Sequence, residues 1–180
     1  HLTLADFEIY EGGRKQDIRY FARGDESAGE RPPLHIGLVF DTSGSMGSGR
    51  KMAAAKEAAA AAVDSLDDGV TVAVIAGDHE AKLLWPQDGR SFAVADHDDR
   101  AGAKAAIAQA EPAGGTAIGT WLDMARSLFS TTSAPARHAI LLTDGRNEHQ
   151  QPHELAAAVG ASRGLFQCDC RGVGVDWEVE

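Results

Sequence analysis

The sequence predicts an α/β fold: a doubly wound, mostly parallel sheet flanked by helices, preceded by an N-terminal β-hairpin extension. Three observations predict it. From Leu34 onward, short apolar runs alternate with longer segments whose apolar residues recur at helical spacing. The strand-like runs contain β-branched residues and read as buried, which implies a sheet covered on both faces. Finally, the run over residues 34–40 leads through the tight loop Asp41-Thr42-Ser43-Gly44-Ser45-Met46 straight into an alanine-rich segment, the order strand, loop, helix. In such sheets ligands bind beyond the C-terminal ends of the strands, where the strand order reverses.

Taken in order, residues 2–10 and 17–22 alternate in polarity around Glu11-Gly12-Gly13-Arg14 and predict the hairpin, with Gly-Gly as its turn. Residues 23–33, with Gly, Ser, Asp, Glu and Pro-Pro, read as a linker, so 1–33 is an extension and 34–180 the main domain. Residues 49–66 form a helix with Met52, Ala55, Ala59, Val63 and Leu66 on one stripe, and its small residues let it lie close to a sheet. Asp67-Asp68-Gly69 ends it. Residues 70–76 and 81–85 are strands joined in hairpin fashion through Gly77-Asp78-His79-Glu80. Helices follow over 99–110 and 116–130, the second with Ile118, Leu122, Ala125 and Phe129 on one face. A strand over 138–142, a helix over 152–161 and a strand over 165–173 complete the alternation.

With 180 residues, 43% hydrophobic and 24% charged, the chain can bury a core of its own. Its net charge of −10 argues against nucleic acid or an anionic membrane as partner. No apolar run approaches the ~20 residues that a membrane-spanning helix needs. Two cysteines make no disulfide framework, and cytoplasmic residence is the expectation. The start at His1, without Met, reads as a piece of a longer chain.

The loop after the first core strand carries Asp41, Ser43 and Ser45 at alternate positions. Oxygen donors so spaced on a turn can converge on a hard divalent cation. Alone, the loop reads equally as a polar helix cap. Two further loops carry matching groups: Thr116 stands behind Gly114-Gly115 at a helix start, and Asp144 ends a strand and is followed by Gly145. Glycines 44, 114, 115 and 145 are expected to let the backbone turn sharply and approach an ion.

The three loops together, D-x-S-x-S, then T, then D, resemble the metal-ion-dependent adhesion site (MIDAS) of von Willebrand factor type A domains. The resemblance runs from Leu34 to about Val175, and its final segments, Cys168 to Trp177 among them, look like a bacterial subgroup. It implies a Rossmann-like fold and a metal held by Asp41, Ser43, Ser45, Thr116 and Asp144. The serine hydroxyls would bind directly, the threonine directly or through water, and the aspartates often through water. It further implies Mg²⁺ (or Mn²⁺ or Ca²⁺), a protein partner presenting Asp or Glu to an open coordination position, and no enzymatic activity. A metal-assisted hydrolase or a scaffold with a vestigial site are the alternatives. The family's sheet is followed by a last helix, expected here to be cut off at Glu180.

Other features carry less. Residues 44–49, GSMGSG, have phosphate-loop spacing, but Arg50-Lys51 stands where Lys and then Ser or Thr is required. His149 and His153, separated by Pro152, read as a solvated loop and helix start. Cys168 and Cys170 share a strand face and are expected to be buried free thiols. Trp85, Trp121 and Trp177 read as packing residues, as does Met46 beneath its loop.

Overall fold

A computed structural model of the chain describes residues 3–18, 33–145 and 147–174. The chain divides into two compact units, His1–Pro32 and Pro33–Glu180.

In the first unit, strands β1 (Ile9–Glu11) and β2 (Arg14–Gln16) pair antiparallel, with Ile9 opposite Gln16. Gly12 and Gly13, at φ of 55° and 77°, supply the two left-handed residues of a two-residue hairpin turn. The strands are shorter and closer to the turn than expected. Leu4–Asp6 coils into a 3₁₀ turn because the Asp6 carboxylate accepts hydrogen bonds from the Thr3 amide and hydroxyl, at 2.6 and 2.9 Å. Residues 19–22 of the expected second strand lie outside the described residues.

The second unit is built on β3 (Leu34–Asp41), β4 (Thr71–Gly77), β5 (Ala81–Trp85), β6 (Ala93–Val94), β7 (Ala136–Thr143) and β8 (Gln167–Gly172). The sheet runs β5-β4-β3-β7-β8, with β6 also beside β4. β3 is parallel to β4 and β7, and β7 to β8; β5 and β6 are antiparallel to β4. β3 is thus flanked by the strand that follows it and by a much later one, so the strand order reverses at β3. From Ile36 to Asp41 it is buried without interruption, which explains why its sequence does not alternate.

Alternation appears instead in which layer each residue serves. Leu38 and Phe40 pack with Ala55, Ala59 and Val63 of α1 (Lys51–Asp64) and with Ala103 and Ile107 of α2 (His97–Gln109). Val39 packs on the opposite face with Trp121, Ala125 and Phe129 of α3 (Ile118–Ser130). α4 (Pro152–Ser162) lies beside α3. Small side chains at 55 and 59 bring α1 near the sheet, and Trp121, entirely buried, fills the other layer. The short β6 was not expected, since two residues carry no periodicity. Among the described residues no helix is long and apolar enough to cross a membrane. Trp177 and the remainder of 175–180 lie outside the described residues.

Candidate metal centre

Strand β3 delivers Asp41 to the sheet's C-terminal edge, opposite Gly77 in the register with β4. The loop then leaves the sheet through a 3₁₀ turn, Gly44–Gly47, which Met46 anchors from beneath, fully buried as expected for packing. Asp41 itself is 0% exposed. Its Oδ1 accepts from the Ser43 amide at 2.8 Å and its Oδ2 from the Thr143 hydroxyl at 2.8 Å. Burial pushes its carboxyl above the ordinary aspartate range. The hydrogen bonds from Ser43 and Thr143 pull the other way, and the nearby Asp144 adds to the rise. Ser43 is buried and Ser45 exposed, with their hydroxyls 3.0 Å apart. The first loop therefore offers two adjacent hydroxyls above one buried carboxylate.

The second loop is fastened to the first by backbone. The Gly44 amide donates to the Gly114 carbonyl at 3.0 Å, and the Ala113 amide to the Thr42 carbonyl at 2.7 Å. Thr42 in turn donates its amide to the Gly77 carbonyl at 2.8 Å. Thr116, expected to open α3, lies in the loop before it and is buried. The Gly114-Gly115 pair does more than turn. A Cβ on Gly114, at φ 68°, would fall 2.2 Å from Nδ1 of His79, and one on Gly115 would fall 2.0 Å from Nδ1 of His149. Two imidazoles therefore occupy the space that side chains at 114 and 115 would need.

The third loop closes the arrangement. Asp144 is buried, and its Oδ2 accepts from Nζ of Lys51, 3.0 Å away at the start of α1. Beyond it, residues 147–150 reach back to the second loop. His149 Nδ1 accepts from the Thr116 amide at 3.2 Å, and the His149 amide donates to the Thr116 carbonyl at 2.8 Å. Asn147 Oδ1 accepts from the Ile118 amide at 3.0 Å, and Gln150 Oε1 from the Gly119 amide at 2.7 Å. Ala117 at the N-cap position has no side chain to offer, so α3 takes its capping groups from another loop.

The structure thus brings Asp41, Ser43 and Ser45 together on one turn, sets Asp144 beside them, and ties the loop carrying Thr116 to both neighbours. His149 is exposed in a loop, as expected, and is in addition bonded to the second loop. His153 lies exposed on the first turn of α4. Among the described residues no three His, Cys, Asp or Glu side chains cluster as a metal-binding group, so the candidate donors are hydroxyls backed by two carboxylates. Lys51, His79, Thr143, Asn147 and Gln150 were not singled out from sequence. Only Thr143 had a local signal, its place directly before Asp144. The cysteines are corrected too. Both are exposed, because β8 is the sheet's edge strand.

A family model described as von Willebrand factor type A domain matches residues 36–147. The curated "Uncharacterized protein sll0103" of Synechocystis is 34% identical over 155 residues, covering 82% of this chain and 34% of its own length. The solved structure titled von Willebrand factor type A from Catenulispora acidiphila is 44% identical, with a TM-score of 0.78, and covers 82% of this chain and 34% of its own. The chain thus spans about a third of the length of both. Proximal thread matrix protein 1 from the mussel byssus, solved with a zinc-occupied MIDAS motif, is 26% identical, with a TM-score of 0.61. It covers 80% of this chain and 36% of its own.

Proposed function

The chain belongs to the von Willebrand factor type A family, and from that premise we propose that it is a metal-dependent protein-binding module. Domains of this family mediate protein–protein interaction, some through a MIDAS metal. The observation that carries the proposal is the mutual fastening of three loops at the C-terminal end of the central strand. Gly44 bonds to Gly114, Thr143 to Asp41, and His149 to Thr116.

The donor set fits a hard divalent cation such as Mg²⁺, with Mn²⁺ and Ca²⁺ as alternatives. The hydroxyls of Ser43, Ser45 and Thr116 would hold it directly. Asp41 and Asp144 would supply charge from behind, with both Asp41 oxygens already engaged by protein donors. When bound, the cation accepts a carboxylate from a partner's Asp or Glu. Neutral hydroxyl ligands leave it electron-poor for that contact. The chain's own net charge of −10 would repel such a partner elsewhere on the surface.

A hydrolytic role gains no base from the Nδ1 of His149. The Thr116 amide uses the Nδ1 lone pair of His149, so in the neutral ring the proton sits on Nε2.

Calorimetric titration of Mg²⁺ and Mn²⁺ into the metal-free chain tests the reading. One ion per chain is expected, lost in Asp41→Ala with the circular dichroism spectrum unchanged. Glutamate-bearing peptides should be retained on the immobilised chain with Mg²⁺ and released by EDTA. Absence of ion uptake, or EDTA-insensitive retention, overturns it.

A further inference from the structure

Cys168 and Cys170 lie outside the site described above. They stand in register with Ala139 and Leu141 of β7, whose side chains belong to the core layer beneath α3. Residues at i and i+2 of a strand share a face, so both thiols point into the layer that α3 and α4 cover. That cover is incomplete. A groove of about 430 Å³ remains between α3, α4 and the sheet edge, and both thiols line it. Leu155, Val159 and Phe166 make its apolar wall, and Arg163 and Arg171 its charged one. Among the described residues its lining holds no histidine, aspartate or glutamate. Asp169, between the two cysteines, is engaged elsewhere: its carboxylate lies 2.9 Å from His138 Nε2.

We propose that Cys168 and Cys170 form a two-thiolate site for one soft monovalent cation, with cuprous ion as the ligand whose chemistry fits. Thiolates select soft metals. A structural zinc site needs four protein ligands, and this groove offers two. Cuprous ion is content with two sulfurs. Binding converts two thiols and Cu⁺ into a bis-thiolate complex with a net charge of −1 and releases two protons to solvent. Arg163, in the groove's lining, carries a charge of the opposite sign.

The spacing also favours a bridging ion over a disulfide. Alternate residues of a strand are about 6.6 Å apart, whereas a disulfide needs Cβ atoms about 4 Å apart. Two metal–sulfur bonds of about 2.3 Å laid end to end widen the reach by about 2.5 Å over one sulfur–sulfur bond.

The test is an anaerobic competition between the reduced chain and the coloured cuprous complex of bicinchoninate. The wild-type chain should withdraw one equivalent of Cu⁺. Changes beyond the ligands alone weaken metal sites by about 10–100-fold, so Cys168→Ser and Cys170→Ser should each weaken uptake by at least about 100-fold. Both positions are exposed, and circular dichroism should show both variants folded. Asp41→Ala should withdraw Cu⁺ as the wild type does. Failure of the wild-type chain to withdraw Cu⁺, uptake by either serine variant equal to wild type, or equally tight retention of Zn²⁺ would overturn the proposal.

Discussion

Lys51→Met is the most discriminating perturbation of the candidate metal centre, because Lys51 is the cation the chain itself places on Asp144. The pair is 3.0 Å apart, with side-chain exposures of 21% and 6%. Removing one partner of a buried ion pair costs about 3–5 kcal/mol. Partial exposure of Lys51 reduces this to about 2–3 kcal/mol for the metal-free chain. A bound divalent cation would supply the missing positive charge and bring the cost below about 1 kcal/mol. The gap of about 2 kcal/mol is equivalent to Mg²⁺ binding about 30-fold more tightly to the variant than to the wild type. Urea unfolding in EDTA and in saturating Mg²⁺, read with equal m-values, gives the two costs. Calorimetry gives the affinities independently. Equal destabilisation in both buffers, or unchanged or weaker Mg²⁺ affinity in the variant, would show that Lys51 and the ion do not share Asp144.

Three further outcomes are expected. Gly77→Ala sets a Cβ 2.4 Å from the buried Trp121 ring and should cost about 3 kcal/mol. Gly115→Ala meets first the ring of the exposed His149, which can swing outward for the loss of one hydrogen bond, about 1 kcal/mol; thermal denaturation of both variants checks the contrast. Because burial raises the Asp41 carboxyl in the fold above its unfolded value of 3.8, its contribution to stability is fully present below that value and is lost as pH rises through the folded value. The metal-free chain should gain stability on acidification through this range more steeply than Asp41→Asn, as read by urea midpoints across pH. Asp96→Ala removes the carboxylate that accepts from the Asp99 amide at 2.8 Å and should cost about 1 kcal/mol by chemical denaturation.

The α/β alternation was legible because core strands read as short apolar runs and helices carry a period of their own. Residues 36–40 hold no polar side chain, and Ala55, Ala59 and Val63 recur at helical spacing. What escaped reading was set by encounters between distant parts of the chain. Lys51 and Asp144 are 93 residues apart, and Thr143 and Asp41 are 102 apart. No local pattern foretells that such side chains meet. The cysteines misled for a related reason. Alternation shows that 168 and 170 share a face, but only the strand order shows that β8 stands at the edge, where that face is half uncovered. The second loop's glycines suggested close approach to an ion. Their nearest company is the imidazoles of His79 and His149, whose arrival depends on two other strand ends.

The borrowed capping of α3 has a consequence for how the domain can be watched and altered. The amides of Thr116, Ile118 and Gly119 are held by residues 149, 147 and 150, so their exchange with deuterated solvent reports the docking of a segment some thirty positions downstream. Protection at those three amides should rise and fall together, and should vanish together if the downstream segment lets go. The same dependence limits engineering. A GGT loop and its helix transplanted into another scaffold would arrive without the side chains that begin the helix, and would need the third loop as a companion.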